Sequence, residues 1–180
     1  LDFLKNLIKK SPYEGKVFLA GGAVRDELMG IDAKDLDFVI NMDNGGIKFA
    51  NWATKKMKNH KRGSNPVTFE RFGTAKFNLL GVEHDGFKLD DIDVECVMPR
   101  TEEYEDGSRK PKVGSGTLED DVERRDFTTN SLLKNLSTGE ILDLTGQGKA
   151  DIKKGIIRTP LDPDIIFSED PLRMLRAVRF

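Results

Sequence analysis

Cysteine and histidine are nearly absent from this 180-residue sequence, which contains one cysteine and two histidines. Cys96 has no second cysteine to pair with, so no intrachain disulfide can form and a reducing compartment fits. His60 and His84 are isolated in the sequence and indicate neither a catalytic triad nor a zinc site. Chemistry that depends on thiols or imidazoles is therefore not expected.

Long apolar stretches and a surplus of one charge are missing as well. No apolar run approaches the length of a membrane span, and the N-terminus lacks the charged-then-apolar pattern of a signal peptide. The 29 basic and 31 acidic residues give a net charge of -2. This balance neither supports nor excludes an RNA partner, because the distribution of charge matters more than its total. We expect a cytoplasmic protein with no membrane partner, and the sequence does not determine its oligomeric state.

Short apolar runs without regular βαβ spacing favour a mixed α+β domain over a doubly wound sheet. The periodicities predict helices over residues 1–8, 24–29, 47–57, 118–133 and 150–154, and a final helix that begins near 168. They predict strands over 17–20, 36–40, 67–71, 76–80, 87–97, 140–144 and 156–159. The polar stretch 100–112 is predicted to be a mobile loop.

A glycine turn followed by two spaced carboxylates is the most informative pattern. Gly21 and Gly22 interrupt a short apolar run, and the segment GGAVRD continues from them into a helical pattern. Such a turn lets backbone N–H groups approach a phosphate. Asp35 and Asp37 then open the apolar run LDFVI, so on a strand both carboxylates point to one side. Hard carboxylate ligands beside a phosphate-binding turn suit Mg²⁺ and metal-assisted transfer of a phosphoryl or nucleotidyl group.

Several further segments, together with this pattern, resemble the nucleotidyltransferase head of the tRNA CCA-adding enzyme and bacterial poly(A) polymerase family, which is of the polymerase-beta superfamily type. In chain order the segments that carry the resemblance are GGAVRD, KDLDFVI, RFGTAKF, PRTEEYEDGSRKP, LEDDVERRDFTTNSL and EDPLRMLRAVRF. The resemblance implies an α+β head with a mixed sheet flanked by helices over residues 1–160 and the start of a helical neck over 161–180. The chain begins without methionine and ends inside a helical pattern, so we expect a fragment of a longer protein.

The resemblance also implies a two-metal site that needs a third carboxylate on a neighbouring strand. Asp91, Asp93 and Glu95 alternate along one predicted strand face, so periodicity alone does not choose among them. Glu95 stands at the family-like distance before Arg100 and is preferred, with Asp93 second. The catalytic residues expected are Asp35, Asp37 and Glu95, and the metal ligands expected are Asp35 and Asp37 with Mg²⁺.

Arginines supply the predicted nucleotide-binding side chains. Gly21, Gly22 and Arg25 fit triphosphate binding, although Arg25 could equally form an ion pair with Asp26 or Asp35 that orders the turn. Arg125 matches the arginine of the family's DxxRRDF segment that contacts the nucleotide. The alternative for that segment is a helix surface laced with ion pairs. Arg176 and Arg179 are expected to contact phosphates in the family's manner.

Asp170 and Arg173 match the family's nucleotide-recognition motif, EDxxR. The carboxylate of Asp170 accepts from the amino group of cytosine or adenine, and Arg173 donates to the ring acceptors. Uracil and guanine carry a carbonyl where the amino group stands, so Asp170 would repel them. The alternative is a simple salt bridge between residues three apart on a helix.

The expected function is template-independent addition of C and A to the 3′ end of tRNA, from CTP and ATP. Alternatives within the class are a poly(A) polymerase and an enzyme that adds only CC or only A. An alternative from a different class is a non-catalytic RNA- or nucleotide-binding module, against which the intact Asp35 and Asp37 argue.

Overall fold

Helices and strands alternate irregularly in this computed structural model, which describes residues 1–33, 35–58, 63–81, 83–84, 87–88, 92–103 and 111–180. The helices are α1 (Asp2–Ile8), α2 (Gly22–Leu28), α3 (Gly45–Lys58), α4 (Leu118–Glu123), α5 (Gly148–Lys154), α6 (Pro163–Glu169) and α7 (Leu172–Arg179). The strands are β1 (Val17–Ala20), β2 (Asp35–Ile40), β3 (Val67–Phe69), β4 (Thr74–Leu79), β5 (Glu83–His84), β6 (Phe87–Lys88), β7 (Ile92–Val97), β8 (Arg100–Glu103), β9 (Lys112–Ser115), β10 (Leu133–Asn135) and β11 (Ile141–Leu142).

The central sheet is mixed and has the strand order β11-β10-β1-β2-β7-β4-β3. Strands β2 and β7 pair in parallel, whereas the other neighbouring strands pair antiparallel. Two short ribbons, β5–β6 and β8–β9, stand beside this sheet. The α+β fold with a mixed sheet, expected from the sequence, is confirmed.

The two faces of the sheet have different surroundings because side chains alternate along each strand. On one face, Leu36 and Phe38 of β2 belong to the main core, together with Phe49 of α3 and Leu4 of α1. On the other face, Val39 joins a smaller cluster with Phe18, Ala20, Val122 and Leu133. This second face also carries Asp35 and Asp37, which are exposed, so an open polar region lies beside the smaller cluster.

Two predicted elements are wrong in the middle of the chain. Residues 100–103 and 112–115 form the hairpin strands β8 and β9 instead of a loop, while 104–110 lie outside the described residues. The helix predicted over 118–133 ends at Glu123, and a 3₁₀ turn over Thr128–Asn130 and strand β10 follow it. The reason is tertiary: Phe127 is buried with an extended backbone, and Thr128 and Ser131 direct their hydroxyls to buried acceptors.

The C-terminal elements also differ from prediction. No strand forms over residues 156–159, all of which the structure describes, although the Arg158 carbonyl accepts a hydrogen bond from the Thr128 N–H. The final helix predicted to begin near residue 168 is wrong, because Ser168 lies inside α6 and α7 begins separately at Leu172. Asp170 precedes a proline and is extended, with φ -145° and ψ 98°, which ends α6 because the α conformation is disfavoured before proline.

Candidate active site

A row of carboxylates crosses the parallel pair of strands. Asp35 stands opposite Asp93 in register, and Asp37 stands opposite Glu95. Register neighbours share one face of a sheet, so these four side chains lie on the open polar face beside the smaller cluster. Asp91, the third candidate from the sequence, lies outside the described residues.

Desolvation and neighbouring negative charges both act on Asp37 in this row. Although Asp37 keeps access to solvent, the protein groups around its carboxyl desolvate it and raise its pKa, and the nearby charges of Glu95 and Asp35 raise it further. Arg125 and Lys76 act in the opposite direction but do not reverse the shift. A cation bound at Asp37 would relieve this crowding of negative charge.

The donor set suits a divalent cation that shares its ligands with a substrate. Among the residues that the structure describes, no three carboxylate, imidazole or thiol side chains converge into a ready-made metal cage. Mg²⁺ does not need such a cage, because it usually binds through one or two carboxylates together with substrate phosphates and water. Asp35 and Asp37 supply oxygen ligands of this kind, so the residues present fit the ion.

Strand β4 provides one partner for each candidate third carboxylate. The Nζ atom of Lys76 lies 2.9 Å from Oε2 of Glu95, its register neighbour. The Asn78 amide donates to Oδ1 of Asp93, also its register neighbour. No role for Lys76 or Asn78 could be predicted from the sequence, since their pairing depends on strand register. The register and the raised Asp37 pKa favour Glu95 over Asp93 as the neighbour of Asp37.

The glycine turn brings α2 close to an arginine from a distant part of the chain. Gly21 has φ 66°, a conformation that L side chains rarely adopt, and α2 begins at the next residue. A Cβ atom on Gly21 would lie 3.0 Å from Nη1 of Arg125. Glycine is therefore required here by its backbone conformation and by the close approach of the guanidinium.

Arg125 is held by a buried carboxylate. Its Nη2 atom donates to Oδ2 of Asp121 at 2.8 Å, and its Nη1 atom donates to the Asn130 carbonyl at 3.2 Å. The other oxygen of Asp121 accepts from Nη2 of Arg124 at 2.5 Å. Burial alone raises the pKa of Asp121, but the two guanidiniums outweigh it and hold that pKa below its usual value. The ion pairs that the alternative for this segment predicted are present, and they orient the guanidinium of Arg125.

The ion-pair network continues from Arg124 to the β8–β9 hairpin. Nη1 of Arg124 lies 3.1 Å from Oε1 of Glu102, whose side chain is buried. Arg100 pairs with the same oxygen at 2.7 Å. The hairpin is thereby connected through Arg124 and Asp121 to the guanidinium of Arg125.

A second network joins the glycine turn to α7. Arg25 pairs with its neighbour Asp26 at 2.6 Å, as the alternative for this residue predicted, and Nη1 of Arg25 also donates to Oδ1 of Asn130 at 2.7 Å. The Asn130 amide donates to Asp126, whose other oxygen accepts from Nε of Arg176 at 2.7 Å. Asn130 and Asp126 are both buried, and neither was predicted from the sequence to have a role. Their spacing of four residues is the sequence feature that could have predicted the bond between them.

An aromatic ring lies against the same arginines. The guanidinium carbon of Arg25 lies 4.8 Å from the centre of the Phe180 ring, within the range of cation–π contact. Arg176 and Arg179 lie 5.5 and 5.7 Å from that centre. The end of α7 therefore packs onto the glycine turn through Arg25.

Local contacts hold both residues of the predicted base-recognition pair, Asp170 and Arg173. Arg173 is 7% exposed, and its ion pair is with Glu169, at 2.8 Å. It also donates to the carbonyls of Ile166 and Arg124. Oδ1 of Asp170 accepts from the Leu172 N–H at 3.1 Å. Arg173 is thus anchored by three contacts, and Asp170 and Arg173 both line a cavity rich in arginine.

One cavity of about 590 Å³ gathers the predicted nucleotide-binding residues. The predicted residues that line it are Gly21, Gly22, Arg25, Asp35, Asp37, Arg125, Asp170, Arg173, Arg176 and Arg179. Arg124 is a further member of its wall, so six arginines face two strand carboxylates. Glu95 does not line this cavity and lies on a second one, which also contains Asp35 and Asp37. An arginine-lined cavity that ends at paired carboxylates can hold a polyphosphate and a cation together.

A family model described as the poly A polymerase head domain matches residues 17–158 of this sequence. The chain belongs to this poly(A) polymerase head family. The matched range contains the glycine turn, the carboxylate row and Arg125. The fold and the resemblance predicted from the sequence are confirmed by this membership. The family's nucleotidyltransferases generally use divalent metal ions.

Several proteins similar to this chain are tRNA nucleotidyltransferases. The mitochondrial CCA tRNA nucleotidyltransferase of Saccharomyces cerevisiae is 39% identical over 173 residues, which are 90% of this chain and 30% of that protein. A solved CCA-adding enzyme in its apo form II has a TM-score of 0.73 and 31% identity, over 92% of this chain and 35% of its own. A tRNA nucleotidyltransferase solved with a primer tRNA and an incoming ATP analog has a TM-score of 0.66 and 30% identity, over 92% of this chain and 41% of its own.

This chain spans between 30% and 41% of the length of these relatives. In the part of the chain that the structure describes, no helix combines the length and the apolar character needed to span a membrane.

Proposed function

We propose that the protein is a template-independent RNA nucleotidyltransferase that adds C and A to the 3′ end of tRNA, from CTP and ATP. The observation that carries this proposal is the register of Asp37 with Glu95 at the edge of the six-arginine cavity. The relative solved with a primer tRNA and an ATP analog supports the same substrates. The proposal covers the whole protein, of which the described head is one part.

We infer that Mg²⁺ is the ion and that Asp35 and Asp37 hold it, with Glu95 as the third carboxylate. The donor set consists of hard oxygen ligands, and the raised pKa of Asp37 reflects desolvation first and then repulsion from Glu95 and Asp35, which Arg125 and Lys76 only partly offset. When bound, a divalent ion lowers the barrier by activating the attacking hydroxyl and by neutralising the leaving pyrophosphate.

The arginines of the cavity are proposed to hold the triphosphate. Arg125 is fixed by Asp121, and Arg25 and Arg176 are fixed through Asn130 and Asp126, so these guanidiniums are oriented before a substrate binds. Preorganised donors of this kind stabilise developing negative charge without reorganisation during the reaction. Arg179, at the end of α7, completes the basic wall.

Asp170 and Arg173 are proposed to select the base. The contacts of Arg173 to Ile166, Glu169 and Arg124 engage three of the five N–H donors of a guanidinium and leave donors for the ring acceptors of a base. The carboxylate of Asp170 then faces the amino group that cytosine and adenine share.

The alternatives within the class share this cavity. A poly(A) polymerase, or an enzyme that adds only CC or only A, would use the same carboxylates and arginines. The FGTAKF and RTEEY segments resemble CCA-adding enzymes more than poly(A) polymerases, and this resemblance favours the CCA-adding proposal. A non-catalytic nucleotide-binding module would not need the carboxylate row. The division into a head over 1–160 and a neck from 161 stays a prediction, as does a cytoplasmic location.

The test is nucleotide incorporation by the protein that contains this chain. The substrate is a tRNA transcript that lacks CCA. With Mg²⁺ present throughout, each of the four NTPs is supplied first alone and then together with the others. The proposal predicts addition of two C residues with CTP and completion by A with both CTP and ATP. Extended A tails with ATP alone would support the poly(A) polymerase, and absence of incorporation would support the non-catalytic module.

A further inference from the structure

Phe180 is an exposed aromatic residue in the wall of the arginine-lined cavity. Its side chain is 41% exposed, and its ring packs edge-on against Phe127, which is buried. The two ring centres lie 5.9 Å apart, with an angle of 79° between the ring planes. The Phe180 N–H donates to the Arg176 carbonyl at 3.1 Å, so the ring stands one helical turn beyond Arg176. Phe127 therefore fixes the ring while much of its surface stays open.

Three guanidiniums surround this ring. The guanidinium carbon of Arg25 lies 4.8 Å from the ring centre, and those of Arg176 and Arg179 lie 5.5 and 5.7 Å from it. All three distances fall within the roughly 6 Å over which the negative face of an aromatic ring attracts a cation. Like charges gathered around one ring repel one another, so this arrangement needs attractive partners.

Carboxylates supply part of that attraction. Arg25 pairs with Asp26 at 2.6 Å, and Arg176 pairs with Asp126 at 2.7 Å. Arg179 has no carboxylate partner among the residues that the structure describes, and its guanidinium contacts the ring. A carboxylate neutralises the guanidinium that it holds, whereas an aromatic ring carries no net charge. A guanidinium held by the ring therefore keeps its positive charge and its N–H donors for a phosphate.

We propose that Phe180 is a positioning residue for the triphosphate of the incoming nucleotide. Its ring gathers Arg25, Arg176 and Arg179 into one wall of the cavity and leaves their charge available to the phosphates. This inference rests on the proposed transfer from CTP and ATP. It adds to that transfer a side chain that has no polar group of its own.

The ring acts on the part of the substrate that all nucleotides share. Phe180 lines the same cavity as Asp170 and Arg173, which are proposed to select the base, but its cation–π contacts are with other arginines. Loss of the ring should therefore weaken CTP and ATP equally and leave discrimination against UTP unchanged. This pattern separates the role of Phe180 from base selection.

The first test is single-nucleotide incorporation by the protein that contains this chain, on tRNA transcripts that lack CCA or only the final A. Phe180→Leu keeps an apolar side chain but removes the aromatic face, whereas Phe180→Tyr keeps that face. We expect Phe180→Leu to raise the KM for CTP and the KM for ATP on the order of fivefold each, the effect of one or two lost cation–π contacts at an exposed site. Phe180→Tyr should stay within about twofold of the wild type.

Phe72→Leu is the matched control. Phe72 is 40% exposed, and the guanidinium carbon of Arg71 lies 5.7 Å from its ring centre, but Phe72 does not line the arginine-lined cavity. Its loss should leave both KM values within about twofold of the wild type.

Binding of inorganic tripolyphosphate, measured by calorimetry, does not depend on activity. This probe has three phosphates and neither base nor sugar. Phenylalanines with one, two and three ring fluorines are placed at position 180, and each fluorine withdraws electron density from the ring face with little change in its size. The affinity for tripolyphosphate should fall at each step, on the order of fivefold in total. Because these variants keep the shape of the ring, they decide the question even if Phe180→Leu does not fold.

The outcomes separate failure of this inference from failure of the proposed function. An affinity for tripolyphosphate that does not change with fluorination would overturn the role of Phe180, and so would equal losses in Phe180→Leu and Phe180→Tyr. A rise in KM confined to one nucleotide, or lost discrimination against UTP, would also overturn it. Absence of incorporation by the wild type would instead contradict the proposed function, and tripolyphosphate binding would still decide whether the ring positions the arginines.

Discussion

Removal of the Asp121 carboxylate should be the most costly single change near the arginine-lined cavity. The side chain is 0% exposed and bonds both Arg124, at 2.5 Å, and Arg125, at 2.8 Å. Asp121→Ala leaves two largely buried guanidiniums without this partner. Breaking a buried ion pair from one side costs about 3–5 kcal/mol. For a domain of this size that corresponds to a fall in melting temperature of roughly 6–20 °C.

The assay is urea unfolding followed by the fluorescence of Trp52, the single tryptophan, which packs against Tyr13. Glu123→Ala is the matched control, because Glu123 is exposed on the same helix and its loss should change the free energy of unfolding by less than about 0.5 kcal/mol. Asp121→Asn keeps the shape of the side chain and should fall between the two.

The pH dependence supplies an independent check. Burial raises the pKa of Asp121, but Arg125 and Arg124 lower it more, so the folded value lies below the unfolded one. Such a group contributes stability that is fully present above its unfolded pKa, about 3.9, and that is lost as pH falls through the folded pKa. The difference between wild type and Asp121→Asn should therefore close in acid. A difference under about 1 kcal/mol between wild type and Asp121→Ala at pH 7 would refute the buried-pair argument.

Three further predictions concern the carboxylates, the turn and the base. Without divalent ions, Asp37→Asn should raise the free energy of unfolding at pH 7 by about 0.2–1 kcal/mol, because it removes a charge facing Glu95. Because desolvation and then Glu95 raise the folded-state pKa of Asp37, this gain should shrink as pH falls through that pKa and be gone below the unfolded pKa of about 3.9, and unfolding in EDTA at several pH values checks it. Gly21→Ala should raise the KM for CTP several-fold, since the new Cβ meets Arg125; an unchanged KM would contradict this. Asp170→Ala should lose discrimination against UTP and weaken CTP and ATP by about 1.5–3 kcal/mol in single-nucleotide incorporation, whereas retained discrimination would count against base selection by Asp170.

Local motifs were the part of the molecule that sequence predicted well. β1 has the predicted bounds, and the turn with its paired aspartates stands where GGAVRD and DLD placed it. These features depend on backbone chemistry within a few residues, so a single segment contains the whole signal. The family-like segments added the expectation of the arginines, and the same cavity gathers them.

Contacts between distant residues could not be predicted in the same way. Asn130 bonds Arg25 across 105 positions, and Asp126 bonds Arg176 across 50. A period of two treats Asp93 and Glu95 equally, so periodicity could not predict which of them stands opposite Asp37, and the parallel register with β2 places Glu95 there. The helix predicted over 118–133 failed for a related reason: burial of polar side chains in this segment overrides its helical periodicity.

The most direct test of nucleotidyl transfer at the strand carboxylates is incorporation by Asp35→Ala and Asp37→Ala. The two variants and the wild type are supplied with Mg²⁺, CTP and a tRNA transcript that lacks CCA, and urea unfolding verifies that each variant is folded. The paired carboxylates on one strand face predict that incorporation is abolished in both variants while the fold persists. Near-normal turnover in either variant would contradict the assignment of Asp35 and Asp37 as the metal ligands.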